Sequence, residues 1–183
     1  LQIVLQKLGI MSSESTTLKG EVVLVTRPVH QAEALSVRIT ELGGTAVLYP
    51  TVEIVPLSVE PELLTACQQK LEAGKYNGII VSSANAVTQF ARVFEIDAQR
   101  PGLITDIPFF PVGPATAEAA RNIGAHEIRL PKQWRAEGVL EELLKATPPA
   151  LRGQQFLYPH ALRGRRLVID GARETGAIVD AVP

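Results

Sequence analysis

The chain has 183 residues, is 46% hydrophobic and carries a formal net charge of −1. This is apolar material for one good core, or for one core and part of another, and it leaves no polybasic surface of the kind that binds DNA or RNA. The single cysteine, Cys67, excludes an internal disulfide and a thiolate metal cluster; no metal-ligand spacing and no apolar run long enough to span a membrane is present, and a cytosolic, reducing setting is expected.

Leu1 to Lys19 reads as a leader, linker or upstream remnant outside the fold, with a helix docked on a neighbour as the alternative. From Glu21 onward two textures alternate: short β-branched runs bounded by Gly, Pro or Ser, and segments with helical spacing. Val22 to Val25 is a strand apolar on both faces. Ala32, Leu35, Ile39 and Leu42 recur at helical spacing up to Gly43-Gly44, and Ala46 to Tyr49 is the next strand. After the turn-rich passage Pro50 to Pro56 the cycle resumes, with Pro61 in the first turn of a helix whose buried face holds Leu63, Leu64, Cys67 and Leu71. Gly78 to Val81, Phe109 to Val112, Glu127 to Leu130, Gln155 to Tyr158 and Ile178 to Val182 are predicted strands, with helices between them.

Strands apolar on both faces and separated by helices imply parallel sheets covered on each side, a doubly wound α/β architecture. Ligands bind such sheets at the carboxyl ends of the strands. Those ends carry Thr26-Arg27, Ser82-Ser83-Ala84-Asn85, Gly113-Pro114-Ala115-Thr116, and Tyr158-Pro159-His160 with Arg163, Arg165 and Arg166 behind. Each opens a helix, where free backbone N–H groups and the positive end of the dipole suit carboxylates or phosphates. For Ser83 and Thr116 helix capping competes with a ligand role; for Tyr158, core packing; for the arginines, a solvated face. No P-loop, dinucleotide fingerprint or nucleophile elbow occurs.

In order and spacing these strand ends resemble uroporphyrinogen-III synthases: Val23 to Pro28 followed by Gln31-Ala32, Ile80 to Val87, Val112 to Ala117, Glu137 to Leu140, Leu157 to Pro159, and Gly176 to Asp180. The resemblance runs from Glu21 to Pro183. It implies two flavodoxin-like domains joined by a two-stranded linker. Residues 20–50 would begin a split first domain, 51–56 would be a linker strand, and 57–183 would form most of the second. The first domain would be incomplete in this stretch, which taken alone is expected to be inactive.

The implied activity is cofactor-free closure of hydroxymethylbilane, a linear tetrapyrrole octacarboxylate, to uroporphyrinogen III. Water is lost and the last ring is inverted. The enzyme would be a cytosolic monomer with a small-molecule substrate and no nucleic-acid, membrane or metal partner. The substrate-contacting set the resemblance implies is Thr26, Arg27, Ser82, Ser83, Asn85, Gly113, Thr116, Tyr158 and Arg165, with Thr116 the candidate for a catalytic role. The competing reading is a non-catalytic flavodoxin-like module holding a phosphate- or carboxylate-bearing ligand at the same rim.

Overall fold

A computed structural model describes residues 17–97, 101–146, 151–161 and 166–183. The chain divides into two compact units between Val55 and Pro56, inside the turn-rich passage. In the first unit, β1 (Val22–Val25) and β2 (Thr45–Leu48) pair in parallel, with Val23 opposite Ala46. Helix α1 (Val29–Glu41) crosses between them and stops at Leu42. Gly43 then takes φ 83° and gives its N–H to the Thr40 carbonyl, a left-handed turn that favours glycine.

Val25, Ala32 and Ile39 form the buried centre of this unit, with Leu18, Val23, Leu35 and Ala46 packed around it. Leu18 is anchored by its own N–H on the Leu42 carbonyl at 2.7 Å. Residues 17–19 therefore belong to the fold, whereas 1–16 lie outside the described residues. The opposite pleat, carrying Val22, Leu24 and Val47, is exposed. Residues 51–60, where the linker strand was expected at 51–56, pair with no strand among the described residues; Thr51 only reaches back to the Thr26 carbonyl.

The second unit contains α2 (Pro61–Glu72), β3 (Gly78–Val81), α3 (Ala84–Val93), β4 (Phe109–Pro111), α4 (Pro114–Asn122), α5 (Ala136–Ala146), β5 (Gln155–Pro159), α6 (Leu167–Glu174) and β6 (Ile178–Val182). Its sheet runs β4-β3-β5-β6, all parallel. The expected strand over 127–130 contracts to one parallel bridge, Ile128 to Phe109, outside β4.

Alternation along the strands sorts the core into two layers. Ile79, Val81, Phe109 and Leu157 pack with buried residues of α2, α3 and α4; Ile80, Phe110, Phe156, Tyr158 and Val179 pack with α5 and α6. Phe110 and Phe156 meet edge to face at 6.1 Å, and a Cβ on Gly78 would stand 2.6 Å from the Phe110 ring. Gly78 thus lets two large rings close over the sheet, at a gain of about 0.5–1.5 kcal/mol for the aromatic pair beyond its buried area.

The first layer encloses a polar cluster. Lys70 on α2 and the hydroxyl of Tyr76 both donate to Asp180 Oδ2 of β6, each at 2.7 Å. Cys67, 1% exposed, lies beside them. Burial pushes its thiol above the ordinary 9.0. Burial, then bonds to Cys67 and Asp180, also push the Tyr76 phenol up.

Two expectations follow. Asp180→Ala removes the acceptor shared by an ammonium and a phenol, and should lower unfolding free energy by about 2 kcal/mol in urea titrations. Cys67 and Tyr76 both hold their protons more tightly when folded, so their stabilisation is present at neutral pH and lost as pH rises. Stability should therefore decline from the unfolded thiol value of 9.0 upward, with a second decline above the phenol's 10.0. Cys67→Ala should remove the first of these; an unaltered pH profile in that variant would count against the thiol.

Candidate functional site

The strand order places a topological switch point in the second unit. From β3 the chain builds outward to β4 and Ile128, then returns to the other side of β3 as β5. The connections leaving β3 and β5 diverge, which opens a crevice at their carboxyl ends. A pocket of about 380 Å³ opens there. Ile80, Val81 and Val112 line its sheet side, Val139, Val168 and Tyr158 its walls, and Ser82, Trp134, Arg135 and Ala136 its rim.

Tyr158 is 2% exposed and belongs to the core as well as to the pocket. The His160 ring stacks on it at 5.4 Å with planes 13° apart. Trp134 and Arg135 arrive on the loop before α5. Gly138 fixes that loop, because a Cβ there would meet the Gln133 carbonyl oxygen at 2.1 Å.

On the other face of the sheet, β3 and β4 deliver their ends into α3 and α4. Ser83 is the N-cap of α3, and its Oγ accepts the Ala86 N–H at 3.1 Å. That oxygen is committed to capping, which leaves its hydroxyl proton as a donor. Helix α4 is different. Its N-cap is Gly113, with no side chain to cap, and Pro114 opens the helix. The Ala115 and Thr116 N–H groups are first-turn donors with no carbonyl four residues back inside the helix.

Thr116 is therefore no cap. It is 5% exposed, the one buried polar residue among the described residues, and no hydrogen bond to its hydroxyl is found among them. Its oxygen still touches solvent, since the one fully buried side-chain polar atom without a partner among the described residues is Gln155 Oε1.

Of the residues singled out in the sequence, Ser82 and Tyr158 line one pocket. Gly113 lies under Trp134, with a would-be Cβ 3.4 Å from the Trp134 Cβ. Ser83, Asn85 and Thr116 occupy the starts of the adjacent helices α3 and α4. Thr26 and Arg27 follow β1 in the first unit, both exposed, with the Thr26 carbonyl bound by Thr51. Arg163 and Arg165 lie outside the described residues, and Arg166 faces Asp170 at 3.6 Å.

Trp134 and Arg135 were missed. They follow no strand directly, so a strand-end rule passes over them. The usable signal was the only tryptophan of the chain standing beside a cation in a polar loop. Among the described residues no group of three His, Cys, Asp or Glu side chains is arranged to hold a metal ion, and no helix is long and apolar enough to cross a membrane.

The model of the uroporphyrinogen-III synthase HemD family (HEM4) matches residues 33–183. The porphyrin biosynthesis protein HemD of Ruminiclostridium josui is 29% identical over 107 residues, which are 58% of this chain and 21% of that protein. The uroporphyrinogen-III synthase of Proteus mirabilis is 28% identical over 159 residues, 86% of this chain and 76% of the other. Among solved structures, a mutant uroporphyrinogen III synthase of Thermus thermophilus superimposes with a TM-score of 0.53 at 17% identity, over 88% of this chain and 60% of that one. The last likeness is one of fold. The chain thus spans about a fifth of the Ruminiclostridium protein and about three fifths of the Thermus one.

The geometry of Thr116 makes a thermodynamic prediction. Thr116→Val keeps the shape and removes a hydroxyl that no described residue binds, so stability should stay level to within about 0.5 kcal/mol. A loss of about 1 kcal/mol in thermal unfolding would restore the capping role that Gly113 otherwise holds.

Proposed function

The chain belongs to the uroporphyrinogen-III synthase family, and from that premise we propose that it supplies part of the site in which hydroxymethylbilane is closed to uroporphyrinogen III. In this reading the terminal hydroxyl leaves with a proton as water and an azafulvene forms. The last ring then closes in inverted orientation through a spiro intermediate. The enzyme is a lyase of tetrapyrrole biosynthesis and needs no redox or metal step.

The protein's task is to hold a flexible octacarboxylate folded back on itself and so exclude the faster, symmetric closure. That is work for positioning and for fixed dipoles. The observation that carries the reading is Thr116: a largely covered side chain whose hydroxyl reaches the surface with no described partner, beside the free N–H groups that begin α4. It is a donor kept ready for an oxygen the protein itself does not supply. The hydroxyl proton of Ser83 adds a donor for carboxylates at the start of α3, and Ser82 adds another at the rim of the pocket across the sheet.

Thr26 and Arg27, exposed at the carboxyl end of β1 in the first unit, are counted among the substrate-binding residues in this reading.

Isothermal calorimetry tests the reading. The chain is expected to bind an octacarboxylate tetrapyrrole and to leave FMN and ATP unbound, since no phosphate cradle is encoded. Tight FMN or ATP binding with none for the tetrapyrrole reverses the conclusion in favour of a phosphate-binding module. Thr116→Val should weaken the tetrapyrrole about tenfold, the worth of one lost hydrogen bond to a charged group, while the fold holds. Unchanged affinity would remove Thr116 from the site.

A further inference from the structure

The pocket at the β3–β5 switch point contains groups that neither strand ends nor helix starts explain. Trp134 is 61% exposed, an unusual place for an indole, yet the loop that carries it is held against α5 by the absence of a Cβ at Gly138. Arg135 is next to it on the rim. Among the described residues its guanidinium meets Glu137, loosely, Nε to Oε2 at 3.7 Å, and both side chains are about half exposed. A surface pair of that kind contributes little and leaves the terminal nitrogens of the fork available. The same pocket is lined by aliphatic side chains of β3, α5 and α6 and by Tyr158.

We propose that this pocket is a single-ring subsite, in which the Trp134 indole stacks on one pyrrole of the substrate and Arg135 pairs with that ring's carboxylate arm. The volume sets the stoichiometry. About 380 Å³ is at the small end of the range for ligand sites, roughly 300–1,000 Å³, and accepts one substituted five-membered ring but not four. The chemistry sets the class. An aromatic face, an apolar floor and one free guanidinium on the rim match a flat, electron-rich ring with an anionic arm pointing to solvent. A nucleoside phosphate would demand more donors than one fork.

Arg135 and Trp134 are specificity-determining here: they select which ring is clamped, and so bias how the open chain folds back. The identification of the ring as a pyrrole rests on the synthase reading above. Recognition of an aromatic carboxylate does not.

Trp134 is the only tryptophan of the chain, so its emission reports this pocket alone. The probes are a monopyrrole bearing one acetate and one propionate arm, and the dimethyl ester of the same compound. The diacid is expected to quench Trp134 saturably, with the ester at least tenfold weaker. Arg135→Gln should bring the diacid down to the level of the ester, Arg135→Lys should restore part of the difference, and thermal melting should be unchanged in both. No quenching by the diacid, equal affinity for diacid and ester, or an Arg135→Gln chain that binds the diacid as tightly as the parent, each overturns the subsite. The calorimetric titration separates the two readings. Octacarboxylate binding that is insensitive to Arg135→Gln removes the subsite and leaves the synthase. Arg135-dependent quenching by the diacid, with no octacarboxylate binding, removes the synthase and leaves the subsite.

Discussion

The parallel pairing of β3 with β5 is the constraint on which the second unit depends. Gly78 stands opposite Phe156, and Ile79 opposite Leu157, although the two strands are far apart in sequence. Because β4 and Ile128 already occupy one side of β3, the returning chain has only the other side to add to. This reversal separates the loops that leave the two strands and creates the crevice. Close packing makes the pairing tight: the missing side chain at Gly78 admits the Phe110 and Phe156 rings. Shifting the register of β5 by one residue would turn Tyr158 away from the pocket and its neighbours into it.

Around the crevice, stability and readiness to bind are in tension. Ser83 satisfies a helix terminus and adds to the fold. Thr116 adds nothing of the kind, since no described residue binds its hydroxyl while a glycine stands at the capping position. Two helices that start at adjacent strand ends therefore serve different purposes, one closed on itself and the other left open. Unpaired donors kept at a rim are a standard cost of preorganised recognition, because they need not be reoriented when the ligand arrives. The loop of Trp134 follows the same logic: Gly138 holds the loop while the indole remains accessible.

Away from the rim, Asp180 ties β6 to α2 and to the residue that leads into β3. Its carboxylate is mostly enclosed, so it is retained only because an ammonium and a phenol both point at it. The cluster fixes the layer that backs α3 and α4 without taking part in the rim chemistry.

The α/β pattern was legible because local signals agreed: β3 and β6 have the bounds their residues imply, Pro61 opens α2, and Gly43 ends α1. The strand at 127–130 was overstated, because its partner on one side is absent among the described residues and a single bridge to Phe109 remains. The strand ends that open into helices were visible for the same local reason, hydroxyls and glycines placed between a strand and a helix. Sequence by itself determined the alternation of elements and the family. Which hydroxyl caps and which stays unpartnered was decided only by tertiary structure, since Ser83 and Thr116 occupy similar strings but different helix positions. So was the pocket: Trp134, Arg135 and Tyr158 share it because a long-range strand pairing brings their segments together, and no local preference encodes a contact between residues more than twenty positions apart.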